Sequence, residues 1–130
     1  MNEPIWVLDE TVLAIHNRQI AEHGGLPGVR DEGALLSALT RPRNKFAYEK
    51  PTIFQLAAAY AYGLAANHPF SDGNKRTAYV VSILFLHLNG FRIAAARDDK
   101  YTTFLRLAAG EISEAELAVW FKQHAAKIKS

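Results

Sequence analysis

The sequence predicts an all-α fold, a compact single domain of about six helices over residues 1–130. Apolar residues recur at helical spacing along nearly the whole chain. Two capping-box patterns, Thr52 with Gln55 and Ser113 with Glu116, mark helix starts. Apolar residues make up 49% of the chain and charged residues 22%, which is the composition of a globular domain able to bury a core. We expect no credible sheet.

The first two helices are expected to be separated by a turn. The first ends at the segment 24–28, which contains three glycines and a proline. Asp31 then caps a short second helix, and Pro42 ends it, because proline inside a helix removes a hydrogen bond and clashes with the preceding turn. Residues 41–51 are therefore expected to form a connecting segment.

The third and fourth helices are expected to flank an interruption. The third runs from Thr52 to about Asn67, where the following His-Pro pair must break it, since proline disfavours helix at the residue before it. The fourth resumes near Asn74 and continues to Leu88. It is apolar on most sides, which predicts a place in the middle of the bundle. The pair Asn89-Gly90 predicts a left-handed stop.

The remainder of the chain is expected to hold two more helices. Residues 91–97 are ambiguous and suit either a short strand or an extended connection. Asp98 or Asp99 is expected to cap the fifth helix. The sixth helix opens at the second capping box and includes Ile128, with a frayed tail from Lys127 onward.

Composition and charge exclude several classes of protein. No cysteine is present, which excludes a disulfide framework and a thiolate metal site. Residues 1–6 lack the features of a signal peptide, and no apolar run approaches about 18 residues, so we expect no membrane span. The net charge is +2, and no stripe of Lys and Arg alternates with aromatic residues, so we expect no direct nucleic-acid partner. These features predict a soluble cytoplasmic domain.

The candidate site is the segment 68–78, His-Pro-Phe-Ser-Asp-Gly-Asn-Lys-Arg-Thr-Ala, which lies between two predicted helices. A helix N-terminus carries free N–H groups and a partial positive charge. The cations Lys75 and Arg76 cost a few tenths to about 1 kcal/mol there unless an anion sits between them. Gly73 lets the backbone approach that anion at positive φ. We therefore expect four residues to bind phosphate: Gly73, Asn74, Lys75 and Arg76.

Two further side chains of this segment would supply chemistry. Asp72 is either an N-cap for the N–H groups of residues 74 and 75 or a ligand that gives one oxygen to Mg²⁺, and we favour the metal. His68 is the candidate proton acceptor for an incoming hydroxyl. Phe70 is expected to point into the core and anchor the loop. The other histidines have no companions at ligand spacing and are expected to be non-catalytic: His16, His23, His87 and His124.

The segment matches the pattern H-x-F-x-D-[AG]-N-K-R and so resembles the death-on-curing (Doc) toxins of the wider Fic fold. Further segments resemble Doc landmarks in the expected order, so the resemblance covers nearly the whole chain: residues 24–28, 47–49, 84–86, 89–90 and 110–113. It implies a Fic-type helical bundle, one Fic/Doc domain over residues 1–130, and the toxin half of a type II toxin–antitoxin pair.

Fic proteins and Doc toxins differ in the group that they transfer. Fic proteins carry H-P-F-x-[DE]-G-N-G-R and transfer AMP from ATP, whereas Doc-type proteins transfer the γ-phosphate to a threonine of elongation factor Tu and so stop translation. This chain has the Fic-like Pro69 and Gly73, but Lys75 stands where the second Fic glycine would be. A lysine fills that space and adds a point charge, which would let the nucleotide lie reversed, with its γ-phosphoryl group facing His68.

The resemblance thus implies a protein kinase-type phosphotransferase that uses ATP and Mg²⁺. His68 would be the base, Asp72 the Mg²⁺ ligand, and residues 73–76 would hold the phosphates and neutralise charge. The inhibitory Fic pattern [ST]-x-x-x-E-[GN] is missing, since Gly28 stands four residues before Glu32. This implies neutralisation in trans by a cognate antitoxin. The alternatives are a protein AMP transferase and a catalytically idle module that acts with its antitoxin as a transcriptional co-regulator.

Overall fold

The computed structural model describes residues 2–129, which form six helices and one two-stranded sheet. The prediction of an all-α fold is confirmed. In chain order the elements are α1 (Asp9–His23), α2 (Glu32–Tyr48), α3 (Ile53–Ala66), α4 (Asn74–Leu88), β1 (Phe91–Ile93), α5 (Arg97–Ala108), α6 (Glu114–His124) and β2 (Ala125–Lys127). None of these helices is both long and apolar enough to cross a bilayer.

The middle of the bundle is α3, which packs against α2, α4 and α6. Nine of its 14 residues are buried, compared with six of the 15 in α4. The prediction that α4 takes the central place was therefore wrong. Many of the buried positions of α3 are alanines, whose small side chains let neighbouring helices approach closely but give a weaker hydrophobic signal than the leucines and valines of α4.

The second helix continues through Pro42 to Tyr48, so the predicted stop at Pro42 and the predicted connecting segment 41–51 were wrong. The missing N–H of proline destabilises a helix interior by about 3 kcal/mol or more in isolation. Pro42 is itself buried, and Lys45 beyond it bonds Glu114 of α6 at 3.4 Å. Packing of the second half of α2 outweighs the local penalty, as tertiary context often does.

Three helix starts agree with the sequence. Asp31 accepts a hydrogen bond from the Ala34 N–H at 3.0 Å, which caps α2 as predicted. Both predicted capping boxes are present, at the start of α3 and at the start of α6. In the second box, hydrogen bonds from Ser113 lower the pKa of the Glu116 carboxyl. The bond from its backbone N–H has the larger effect and the bond from its hydroxyl the smaller one. At the start of α5, Ala96 is the N-cap, and Asp98 and Asp99 lie in the first turn, so the predicted aspartate cap was wrong.

The strands form a small antiparallel sheet that joins the C-terminal segment to the end of α4. Phe91 is paired with Lys127 and Ile93 with Ala125, and Gly90 at φ +95° makes the predicted left-handed turn into β1. The strand interpretation of residues 91–97 is confirmed for Phe91–Ile93, but the expectation of no sheet was wrong. The sixth helix ends at His124, short of Ile128. The fraying predicted from Lys127 onward is contradicted at Lys127, which pairs with Phe91, and at Ile128, whose N–H donates to the Gly90 carbonyl oxygen; residue 130 lies outside the described residues.

Gly63→Ala is expected to destabilise the protein by about 1–2 kcal/mol. The Cβ atom would lie 3.1 Å from the Cα of Ala38 in α2. Overpacking of this kind costs about 1–3 kcal/mol and outweighs the gain of up to about 1 kcal/mol in helix propensity. The measurement is the free energy of unfolding in urea.

Gly33→Ala is the matched control, because Gly33 lies in the exposed first turn of α2 and its Cβ would come no closer than 3.4 Å to another atom. This variant is expected to be as stable as the parent or up to about 1 kcal/mol more stable. Equal stability of the two variants would contradict the close packing of α2 on α3.

Candidate functional site

The loop between α3 and α4 opens onto a cavity of about 550 Å³. Its floor is formed by residues of α5, including Leu105 and Ala108. All six residues that the sequence predicted for the site line this one cavity: His68, Asp72, Gly73, Asn74, Lys75 and Arg76. The break between the two helices therefore brings together an imidazole, a carboxylate, two cations and a helix N-terminus.

Phe70 anchors this loop in the core, as predicted. Its side chain is buried and stacks on the imidazole of His16 from α1, with ring centroids 3.7 Å apart and ring planes 7° apart. The His16 Nε2–H donates to the Asp72 carbonyl oxygen at 2.8 Å, since a carbonyl oxygen can only accept. His16 is buried and has this structural part in the site, and that it is non-catalytic stays a prediction.

Asn74 closes the loop with its side chain. Its Oδ1 accepts from the Phe70 backbone N–H at 2.9 Å, and its Nδ2 donates to the Phe70 carbonyl oxygen at 3.0 Å. Both ends of the amide are thus committed to backbone. The group that Asn74 can offer to a phosphate is its own backbone N–H, which lies in the first turn of α4.

Gly73 shapes the helix start that faces the cavity. It is the N-cap residue of α4, with φ +76° and ψ +16°, and no side chain within the described range 2–129 caps this helix. Left-handed φ of this kind favours glycine because a Cβ atom would clash with the backbone. The first N–H groups of a helix lack intrahelical partners, so the uncapped start of α4 presents them to an anion together with the positive end of the helix dipole.

Asp72 does not cap α4, so the N-cap alternative was wrong. Its Oδ1 accepts from the neighbouring Gly73 N–H at 2.8 Å, not from the N–H groups of residues 74 and 75. Its Oδ2 lies against Gly25 of the α1–α2 connection, only 2.6 Å from where a Cβ of residue 25 would be. The missing side chain of Gly25 therefore leaves the space that this carboxylate occupies.

His68 is held in a conformation that non-glycine residues rarely adopt, with φ +48°. Arg30 fixes the carbonyl groups on this turn. Its Nε donates to the His68 carbonyl oxygen at 2.8 Å, and its Nη2 donates to the Asn67 carbonyl oxygen at 3.2 Å. Strained backbone of this kind costs about 1–3 kcal/mol and persists where the surroundings determine it. The His68 side chain is exposed to the cavity.

The backbone of residues 28–31 completes the hold on the loop. The N–H groups of Arg30 and Asp31 both donate to the Pro69 carbonyl oxygen, at 2.8 and 3.1 Å, and the Ser71 N–H donates to the Gly28 carbonyl oxygen at 3.2 Å. Sequence reasoning assigned residues 24–28 to a turn and missed both Gly25 and Arg30 as parts of the site. The partners of Arg30 lie 37 and 38 residues away in sequence, and Asp72 lies still farther from Gly25, so no local pattern connects them.

The two cations of the site, Lys75 and Arg76, differ in burial. Lys75 is half-buried, and its Nζ lies 5.3 Å from the centroid of the Tyr101 ring in α5, a cation–π contact. Arg76 is exposed. Lys75 is thus held in place beside the uncapped helix start, as a cation that receives a phosphate should be.

A magnesium ion fits this site only together with a phosphate ligand. Among residues 2–129 no group of three or more His, Cys, Asp or Glu side chains is arranged to hold a metal ion. Mg²⁺ is usually bound by one or two carboxylates together with substrate phosphates and water. Asp72, with Oδ2 set in the space beside Gly25, can supply that single carboxylate.

Comparison with known proteins agrees with the geometry of the loop. The sequence model of the Fic/DOC family matches residues 6–86, a span that contains α1 to α3, the whole loop and most of α4. The chain belongs to the Fic/DOC family. The expectation of a Doc-like member is confirmed by two curated relatives.

The first relative is "Protein kinase doc" of Escherichia phage P1, which is 36% identical over 110 residues, 84% of this chain and 86% of the relative. The second is "Toxin Doc" of Mycolicibacterium smegmatis, 44% identical over 79 residues, 58% of this chain and 59% of the relative. In this Fic/DOC protein, the segment that resembles the family motif is also the segment that forms the cavity.

Gly25→Ala is expected to displace the Asp72 carboxylate and to lower the affinity for Mg²⁺–ATP by about 10-fold or more, as changes beside a metal ligand commonly do. The measurement is calorimetric titration with ATP, with Mg²⁺ and with a chelator. The loss should occur only when Mg²⁺ is present.

Gly24→Ala is the matched control. Gly24 also has positive φ, +81° against +116° at Gly25, but a Cβ there has no atom within 4 Å. Both alanines strain the backbone and should lower stability, yet only the substitution at Gly25 should weaken Mg²⁺-dependent binding. An equal effect of the two variants on that binding would refute the role given to Asp72.

Proposed function

We propose that this protein is the toxin of a type II toxin–antitoxin pair and that it transfers the γ-phosphate of ATP to a threonine hydroxyl of elongation factor Tu, which arrests translation. The observation that carries the proposal is the uncapped start of α4, which faces the cavity together with Lys75, Arg76, Asp72 and His68. The relatives named as a kinase and as a toxin support it, and the target is the one that the resemblance to Doc toxins implies.

The phosphates would be held by the first turn of α4. Its backbone N–H groups and dipole favour negative charge, and Lys75 and Arg76 add two point charges at the same place. Phosphoryl transfer depends mainly on positioning and on stabilising the charge of the transferred group. A fixed helix start held by the Asn74 and Phe70 contacts meets that requirement, because it needs no reorganisation during the reaction.

His68 would accept the proton of the incoming threonine hydroxyl. The hydroxyl oxygen then bonds to the γ-phosphorus, the bond from that phosphorus to the oxygen bridging the β- and γ-phosphates breaks, and ADP leaves with that electron pair. Neutral imidazole is suited to this proton transfer. The hold of Arg30 on the His68 carbonyl fixes the backbone that carries the ring.

Asp72 would hold Mg²⁺ together with phosphate oxygens. When bound, the ion would neutralise charge on the phosphates. The contribution of this chain is the placement of the carboxylate. The Gly73 N–H fixes Oδ1, the His16 imidazole fixes the carbonyl of the same residue, and the absence of a side chain at Gly25 makes room for Oδ2.

A cognate antitoxin would neutralise the protein in trans. The chain lacks the internal inhibitory pattern of many Fic proteins, and apolar side chains of the N-terminal region are exposed on its surface: Leu8, Leu13 and Leu36. A disordered antitoxin segment that folds on binding would cover apolar side chains of this kind.

AMP transfer is the second candidate activity. The chain carries the Pro69 and Gly73 of the Fic pattern, and Gly73 adopts the positive φ that lets backbone approach a phosphate closely. Lys75 favours transfer of the γ-phosphate over transfer of AMP, because its half-buried side chain occupies the space that a glycine would leave open.

Label transfer from ATP distinguishes these activities. Purified protein is incubated with elongation factor Tu, Mg²⁺ and ATP labelled on either the α- or the γ-phosphate. Label is expected to appear on the factor only from the γ position, and His68→Ala should reduce the rate by about 10²–10⁴-fold, the usual contribution of a general base. Label from the α position alone would contradict the proposal.

His87→Ala is the matched control, since His87 is an exposed histidine at the far end of α4 and should be replaceable without effect on the rate. Lys75→Gly should lower transfer from the γ position. In cells, wild type should arrest growth and His68→Ala should not. Equal arrest by the two would favour the catalytically idle co-regulator.

A further inference from the structure

A second cleft, of about 580 Å³, adjoins the loop cavity and shares two side chains with it. Its wall is built by α4 and α5 and by the connection between β1 and α5. Among residues 2–129, no carboxylate lines it. Its charged lining residues are all cations, and the first two are the shared ones: Lys75, Arg76, Arg97 and Lys100. The cleft therefore favours a ligand with several negative charges that continues from the loop cavity.

The rest of the cleft lining is Ala95 and three aromatic residues, Tyr79, Tyr101 and Phe104. Phe104 is buried and meets the Tyr79 ring edge to face, with centroids 5.0 Å apart and planes at 87°, so this pair is fixed by packing. Burial also raises the pKa of the Tyr79 phenol. Tyr101 is different, because 63% of its surface is exposed and the Lys75 Nζ lies 5.3 Å from its ring centroid. Its ring is therefore open to a ligand in the cleft.

We propose that this cleft binds the nucleoside end of ATP, with the base stacked on Tyr101. The inference rests on the proposed function, since a γ-phosphate that faces His68 places the rest of the nucleotide beyond Lys75 and Arg76. The next space beyond those two side chains is the cleft. There Lys100 and Arg97 can reach the α- and β-phosphates, and the exposed ring offers a flat apolar face to the base.

Lys75 connects the two halves of this arrangement. Its Nζ lies 5.3 Å from the centroid of Tyr101 and also lines the loop cavity. Lys75 therefore lies between the loop cavity, which would hold the γ-phosphate, and the ring on which the base would stack. An acidic peptide would match the cations of the cleft equally well, but it gives no reason for an exposed ring beside the phosphate-binding lysine.

The test compares the binding of two probes, ATP and inorganic tripolyphosphate, by calorimetry in the presence of Mg²⁺. Tyr101→Ala should weaken ATP binding by about 5- to 150-fold, the usual effect of losing one stacked base, and leave tripolyphosphate binding unchanged. Tyr101→Phe should bind ATP within about threefold of the parent, because it keeps the ring. Unchanged tripolyphosphate binding also shows that the variant is folded.

Tyr48→Ala is the control for loss of an exposed tyrosine, since Tyr48 lies at the end of α2 and is 86% exposed. It should affect neither probe. Equal weakening of both probes by Tyr101→Ala, or no weakening of ATP, would overturn the proposal. If Tyr101→Ala leaves the affinity for ATP unchanged and raises the KM for the protein substrate, the proposal is also overturned, and the cleft is assigned to a peptide.

The proposed function can fail separately from this inference. If the wild type binds ATP through Tyr101 but transfers label only from the α position, kinase activity is wrong and the cleft still holds a nucleoside. If γ-label is transferred and Tyr101→Ala binds ATP normally, the kinase proposal survives and the nucleoside site does not.

Discussion

The candidate site depends on one set of contacts, the pairing of residues 28–31 with the loop at residues 68–71. Hydrogen bonds from Arg30, Asp31 and Ser71 connect the two segments, and the Arg30 guanidinium adds two more to the end of α3. This pairing holds His68 at a positive φ that its side chain disfavours. A histidine prefers negative φ, so without this pairing the local sequence would not place the His68 imidazole beside the start of α4.

At the loop, one group of side chains shapes the backbone and another faces the cavity. Phe70, His16 and Asn74 are committed to packing and to backbone hydrogen bonds. Lys75 and Arg76 line the cavity as cations, and the N–H groups at the uncapped helix start would complete the proposed anion site. The shaping group fixes the geometry before a ligand arrives, which is the condition under which electrostatic stabilisation of a transferred phosphate is most effective.

Much of this was predictable from sequence where the cause is local. The caps at Asp31, Thr52 and Ser113 and the composition of the loop depend on residues within a few positions of one another. The errors have nonlocal causes. Packing carries α2 through Pro42, and β1 exists because residues 125–127 pair with it. Gly25 and Arg30 act on partners far away in sequence, 38 residues in the case of Arg30 and His68, so neither the place of Asp72 against Gly25 nor the strain at His68 could be predicted from local sequence.

The central claim is that the start of α4 receives the γ-phosphate of ATP, with His68 beside it. The most direct measurement is a crystal structure of the protein with Mg²⁺ and a non-hydrolysable ATP analogue. The account predicts the γ-phosphate at the N–H groups of residues 74–76, within reach of His68, with Asp72 on the metal. An α-phosphate in that position, with the γ-phosphate pointing away from His68, would contradict it.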